Sequence, residues 1–188
     1  MRPTGTAISA RDLLPFRTSA SDYELTERLK ADLAELRATR EPFFLTAQEL
    51  EPIFRWKLGR QYGRNRHQRA QNSDPEYRSI TCAAFAITRS QVTEEAARRL
   101  KVLTCLDGVG VPVASAMLAL VEPSRYCVTD LHGWRAMYLL HQTGFSIGDY
   151  LHYLMDVTLF SAQLGWSVQE TDLALWAYDE HMSRAAGP

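Results

Sequence analysis

Two stretches of the chain hold reactive or charged side chains in patterns suited to binding or catalysis. The first runs from Val102 to Trp134. Within it, Leu106-Asp107-Gly108-Val109-Gly110 lies between two apolar helical stripes, and Asp130-Leu131-His132 begins twenty residues after Gly110. Two glycines this close favour a turn with positive φ. A helix starting directly after such a turn exposes unpaired N–H groups at the positive end of its dipole, an anion site suited to phosphate. The amides concerned are those of Gly108, Val109, Gly110, Val111 and Val113. A Gly-x-Gly turn can equally be a plain corner between two helices. Likewise Asp130, after the Pro123 loop, can simply cap the helix that follows it.

The second stretch is basic. Residues 51–70 hold Lys57 and five arginines (Arg55, Arg60, Arg64, Arg66 and Arg69) against Glu51 alone. The local charge is +5 in a chain of net charge −1, so the remainder carries −6. The molecule as a whole is not a basic nucleic-acid binder, but local neutralisation is what phosphate binding needs. Arginines interleaved with Trp56 and Tyr62 suit phosphate contact and base stacking. The alternative is a solvated charged face with Trp56 in the core.

Helices must position these groups. Val92, Ala96, Leu100 and Leu103 form one stripe, and Val113, Ala114, Met117, Leu118 and Val121 form another. The pattern is helix, Gly-x-Gly hairpin, helix over about 92–121, and small Ala114 and Ser115 let the two helices approach. Three capping boxes mark other helix starts, at Thr46/Glu49, Ser73/Glu76 and Ser167/Glu170. Tyr23, Leu25, Leu29, Leu33 and Leu36 predict a helix over 22–39. Further helices are predicted near 46–59, 74–87, 130–144, 147–164 and 167–184. Strand-like alternation is nearly absent. The expected fold is all-α, about eight helices in a compact two-lobed bundle, with residues 1–20 as an N-terminal arm and 21–188 as a single unit.

The hairpin and the Asp-x-His after it resemble the helix-hairpin-helix DNA glycosylase superfamily, which includes endonuclease III and the 8-oxoguanine glycosylases. That family reads Leu-x-Gly-Val-Gly, a small-residue helix, then Val-Asp-x-His at the next helix start. Leu106, Gly108, Val109, Gly110 and Ala114 match the hairpin, and Asp130 and His132 match the rest, with the family's spacing. Trp134 echoes the 8-oxoguanine branch. The close match covers about a sixth of the chain.

The resemblance implies base excision from duplex DNA. Breaking an N-glycosidic bond develops oxocarbenium charge on the sugar, which a carboxylate stabilises while orienting or deprotonating the attacking water. Asp130 is the expected catalytic group, and His132 is expected to approach the DNA backbone or the active site. Relatives with lyase activity carry a lysine two residues after the second hairpin glycine, where this chain has Pro112. Proline offers no amine, so a monofunctional glycosylase is expected; Lys57 is the one residue of the basic stretch that could supply an amine instead. A flipped base would be stacked by aromatic side chains, for which Trp56, Tyr62, Trp134 and Phe145 are the candidates. The resemblance also admits a monovalent cation at the hairpin. The alternatives are a non-catalytic DNA-binding module and an all-α protein-interaction domain.

Composition bounds the rest. A chain of 188 residues can bury a core without staples. No apolar run approaches membrane-spanning length, and the N-terminus lacks a signal-peptide core. An intracellular (cytoplasmic, nucleoid-associated) monomer is expected. Cys82, Cys105 and Cys127 are expected as buried thiols, and no metal site or other cofactor is foreseen.

Overall fold

The apolar stripes become nine α-helices among the described residues of the computed structural model, which covers Pro3 and residues 5–185. Met1, Arg2 and Thr4 of the expected arm, and residues 186–188, lie outside the described residues. The helices are α1 Tyr23–Thr39, α2 Ala47–Leu58, α3 Arg66–Arg69, α4 Asp74–Ala86, α5 Val92–Leu103, α6 Val111–Val121, α7 Leu131–Tyr138, α8 Ile147–Leu164 and α9 Val168–Ala185. No strand occurs among the described residues, and no helix there is long and apolar enough to cross a membrane.

Helix α6 is the centre. Every residue from Val113 to Val121 is buried, because α1, α2, α5, α8 and α9 all pack on it. A helix apolar on all sides must be enclosed on all sides. The stripe expected on one face is therefore a whole buried cylinder, with Ala116, Ala119 and Leu120 as deep as Met117 and Leu118. One large apolar cluster runs through the helices, and a smaller one gathers Ala20, Leu173 and Ala177.

Two details differ from the sequence expectation. Residues Ala10–Phe16 of the supposed arm form a 3₁₀ turn that packs on α8 and α9, with Leu13 fully buried. Helix α7 stops at Tyr138 rather than near Gly144, because Leu139 adopts a left-handed conformation, φ 55°. The cysteines also divide: Cys127 is buried, Cys82 is half-buried and Cys105 is exposed.

A buried charge network fixes the connection from α6 towards α7. Glu95 and Arg99 on α5 are each 1% exposed. Arg99 donates to Glu122 at 2.8 Å and to the Ile87 carbonyl, and Arg125 pairs with Glu95 at 2.7 Å. Arg37 of α1 closes on Glu122 at 2.7 Å. These contacts lock residues 122–126, which lead directly into the segment carrying Asp130. Breaking a buried pair leaves an uncompensated charge. Arg99→Met should therefore lower unfolding stability by about 3 kcal/mol or more, read by urea denaturation; parental stability would show that the network is dispensable.

Candidate functional site

Helix α2 begins at the expected capping box, with the Glu49 amide donating to Thr46 Oγ1 and the Thr46 amide donating to Glu49. Its Leu50, Ile53 and Phe54 go into the core. Lys57, one turn beyond Ile53, then sits at the margin of that face. Across from it, Asp130 caps α7 and accepts the Gly133 amide at 3.0 Å through Oδ1. Lys57 Nζ lies 2.9 Å from Asp130 Oδ2, with side-chain exposures of 8% and 26%. The capping and reactive roles considered for Asp130 thus fall on different oxygens of one carboxylate.

The pair lines a cleft of about 870 Å³. Trp56, Lys57, Arg60 and Arg64 line it from α2 and the turn beyond. Gly108, Gly110, Pro112 and Val113 contribute from the hairpin and α6. Asp130 and His132 contribute from α7, and Gln169, Asp172, Trp176 and Glu180 from α9; Arg69, Phe145 and Asp22 are also among the lining residues. Burial opposes the charge on Asp130, yet the Lys57 ammonium, the Gly133 amide and His132 hold its carboxyl below the usual carboxylate value. Asp130 is consequently an anion at neutral pH.

The hairpin is held by the basic segment. Gly108 has φ +73°, and a Cβ there would stand 2.8 Å from Arg69 Cγ and 3.0 Å from the Arg69 amide nitrogen. Both the backbone conformation and the close approach require glycine. Asn72 clamps the turn from the side, donating to the Asp107 carbonyl and accepting the Asp107 amide, each at 2.9 Å. The Val109 and Val113 amides donate to Leu106 and Gly110 carbonyls. Those two are thus occupied, correcting their expected role as phosphate donors. The amides of Gly108, Gly110 and Val111 have no acceptor among the described residues.

The six basic residues of 55–69 divide their work. Arg60 and Arg64 line the cleft, and neither they nor Arg66 has a carboxylate partner among the described residues. Arg66 is exposed away from the cleft lining. Arg55 pairs with Glu51 at 2.8 Å and stacks on Tyr62. Arg69 is 5% exposed, donates to the Tyr62 carbonyl at 2.6 Å and stacks over Phe54 and Tyr62. It packs the hairpin in place and also lines the cleft, with its guanidinium engaged by a carbonyl and two rings.

The aromatic candidates divide too. Trp56 lines the cleft, its indole N–H donating to Thr26 Oγ1 at 2.9 Å, and Phe145 lines it as well. Trp134 is 1% exposed and packs edge-on against Tyr138 and Phe145. It belongs to the core, because α7 turns that face to α8 and α9. Tyr62 lies between the Arg55 and Arg69 guanidiniums and bonds Glu51, outside the cleft lining. Neither can stack a base in the cleft.

Helix α9 supplies what the sequence expectation left out. Asp179 holds His132 Nδ1 at 2.7 Å and pairs with Arg135 through both oxygens. Trp176 faces the His132 ring at 5.4 Å. Asp172, 6% exposed, accepts the Val128 amide at 2.9 Å and the Tyr153 hydroxyl at 2.6 Å. A side chain on Gly133 would collide with that hydroxyl, so α7 approaches α8 only through a glycine. The available signal was two aspartates, 172 and 179, on the same stripe as Val168 and Leu175. Among the described residues no group of three or more metal-ligating side chains occurs.

Comparison of the chain with known protein families, curated sequences and solved structures finds no match.

Burial pushes the Asp172 carboxyl up to about 7, and the Asp130 charge adds to the rise. A carboxyl raised on folding takes up a proton with the native state, so its contribution to stability is present below the unfolded value near 3.8 and is lost as pH rises through about 7. Asp172→Asn retains an acceptor for Val128 and a partner for Tyr153 without the titration. Its stability relative to the parent should therefore increase between about pH 4 and pH 7, measured by urea denaturation across that range; a pH-independent difference would contradict the assignment.

Proposed function

We propose that the protein is a DNA N-glycosylase that binds duplex DNA over this cleft, receives an extruded damaged base and breaks its N-glycosidic bond. The observation that carries it is the Lys57–Asp130 pair, 2.9 Å apart, in one cleft with Gly108, Gly110, Arg60 and Arg64. Phosphate recognition would use the Gly108, Gly110 and Val111 amides together with Arg60 and Arg64, and Arg66 from outside the lining. The sugar would then face Asp130, whose anionic carboxylate stabilises the oxocarbenium charge.

The reacting base would sit against Trp56, Phe145 and Trp176, whose faces or edges line the cleft. Trp176 replaces Trp134 and Tyr62 in this role. His132 is oriented by Asp179 through Nδ1, which leaves Nε2 for a phosphate or the substrate. An oxidised purine is the first substrate to consider, on the resemblance of Asp130-Leu131-His132-Gly133-Trp134 to the 8-oxoguanine branch. The expected helix-hairpin-helix glycosylase-like fold belongs to this proposal and is supported by α5, the hairpin and α6 standing in that order before Asp130.

The test is a panel of duplex oligonucleotides, each with one damaged base, scored for abasic product. Wild-type protein should excise at least one lesion. Asp130→Asn should cut that rate by about 10²-fold or more while binding the same duplex. Turnover unchanged by the substitution would remove Asp130 from the mechanism. Binding to duplex DNA should also weaken steeply with added salt. Salt-sensitive binding without excision would favour a non-catalytic DNA-binding module, and no binding at all an interaction domain.

A further inference from the structure

Helix α8 is apolar on two sides. Tyr150, Tyr153, Leu154, Val157 and Phe160 face the core. On the opposite side Met155, Leu159 and Ala162 recur at i, i+4 and i+7, and all three are exposed. A helix apolar all round is ordinarily enclosed. Helix α6 is enclosed in this way, and α8 is not. The patch continues beyond the helix. Tyr138, at the end of α7, lies against α8, its ring 5.6 Å from His152 and its hydroxyl donating to Asp156 at 2.7 Å. Leu139 and Leu140 therefore leave α7 beside the outer side of α8. Leu139, Leu140, Met155 and Leu159 are between 44% and 74% exposed. Together they show on the order of 400 Å² of apolar surface, the size at which a patch on a monomer is commonly a contact site.

Charge decides what can cover this patch. Residues 136–183 contain no lysine or arginine but six carboxylates, so this side repels a nucleic acid. The two carboxylates of α8 are already engaged. Asp149 closes the capping box with Ser146, and Asp156 accepts from Tyr138 and lies 3.7 Å from His152 Nε2. The exposed stripe itself is uncharged, and its complement is another uncharged apolar stripe, which every copy of the chain carries. We propose that the outer face of α8 is the interface of a homodimer, with two copies packed α8 against α8 about a two-fold axis. The axis passes beside Thr158 and Leu159. The two helices then run antiparallel, and Met155 of each copy meets Ala162 of the other, a long side chain against a small one. Thr158 at the centre needs no partner, because its hydroxyl donates to the Leu154 carbonyl at 2.6 Å. Pairing the patches removes roughly 800 Å² from water, and the rim of His152, Thr158 and Gln163 brings the total towards the ~1,200 Å² at which specific interfaces begin. No residue of α8 lines the cleft. The dimer therefore leaves both clefts open, holds whatever binds in them, and replaces the expected monomer.

The test is analytical ultracentrifugation of the full chain over a concentration series, with a reductant present so that the exposed Cys105 cannot link two chains. Wild-type protein should pass from the 21.3 kDa chain to twice that mass as its concentration rises through the micromolar range. Leu159→Glu sets two carboxylates against each other at the axis and should raise the dissociation constant by about 10²-fold or more. Met155→Glu should weaken the dimer as well. Both positions are exposed in one copy, so each variant should unfold at the temperature of the parent when both are diluted to monomer. Leu25→Glu alters an exposed apolar residue of α1 outside the patch and should leave the dissociation constant unchanged. A wild-type protein that stays monomeric at every concentration overturns the proposal and hands the face to a different partner. A dimer that survives both Leu159→Glu and Met155→Glu overturns it too, because its interface lies elsewhere. A loss of dimer in Leu25→Glu as large as in Leu159→Glu would do the same, since added charge anywhere would then suffice.

Discussion

A lysine and an aspartate from helices far apart in sequence meet at the mouth of α7, and the surrounding structure is arranged so that they can. Bringing both charges partly out of water is unfavourable unless each finds the other and the carboxylate finds further donors. Asp130 meets that condition with Lys57 on one oxygen and the Gly133 amide on the other. The pair holds only if α2 and the start of α7 keep their spacing. Helix α6, enclosed on every side, is packed against α2 and α9, and α9 is packed against α7. The buried Glu95–Arg99–Glu122 network and the Asp172–Val128 bond hold the two ends of the segment that leads from α6 to Asp130.

The same economy governs the hairpin. A Gly-x-Gly turn can offer its amides to a phosphate only if the turn itself is rigid. Arg69 and Asn72 provide that rigidity from the neighbouring segment. The basic stretch is therefore two things at once: Arg69 and Arg55 are stacked and bonded into the frame, while Arg60, Arg64 and Arg66 keep their charges unpaired among the described residues. Charge counting along a sequence treats these residues alike. Burial separates them.

Much of the fold was legible because its determinants are local. The capping boxes at Thr46 and Ser167 start α2 and α9 as their side-chain spacing required. Stripes such as Ala96, Leu100 and Leu103 announced their helices and their buried faces. Gly108 announced a positive φ. Less legible were features set by contact with distant residues. Leu139 ends α7 early without a glycine or proline to mark it. Trp134 was indistinguishable by type from Trp56 and Trp176, yet one is core and two line the cleft.

Local sequence was enough to set the helices, the hairpin between two of them, the aspartate at the start of α7 and the concentration of positive charge near 55–69. Each of these follows from periodicity, capping or composition within a few residues. Long-range packing set the facing of Lys57 and Asp130, the burial of Arg69, and the placing by α9 of Asp172 and Trp176 at the cleft and of Asp179 behind His132. Those outcomes depend on which faces of α2, α7 and α9 meet around α6, and a pairing across 73 residues of chain leaves no local trace.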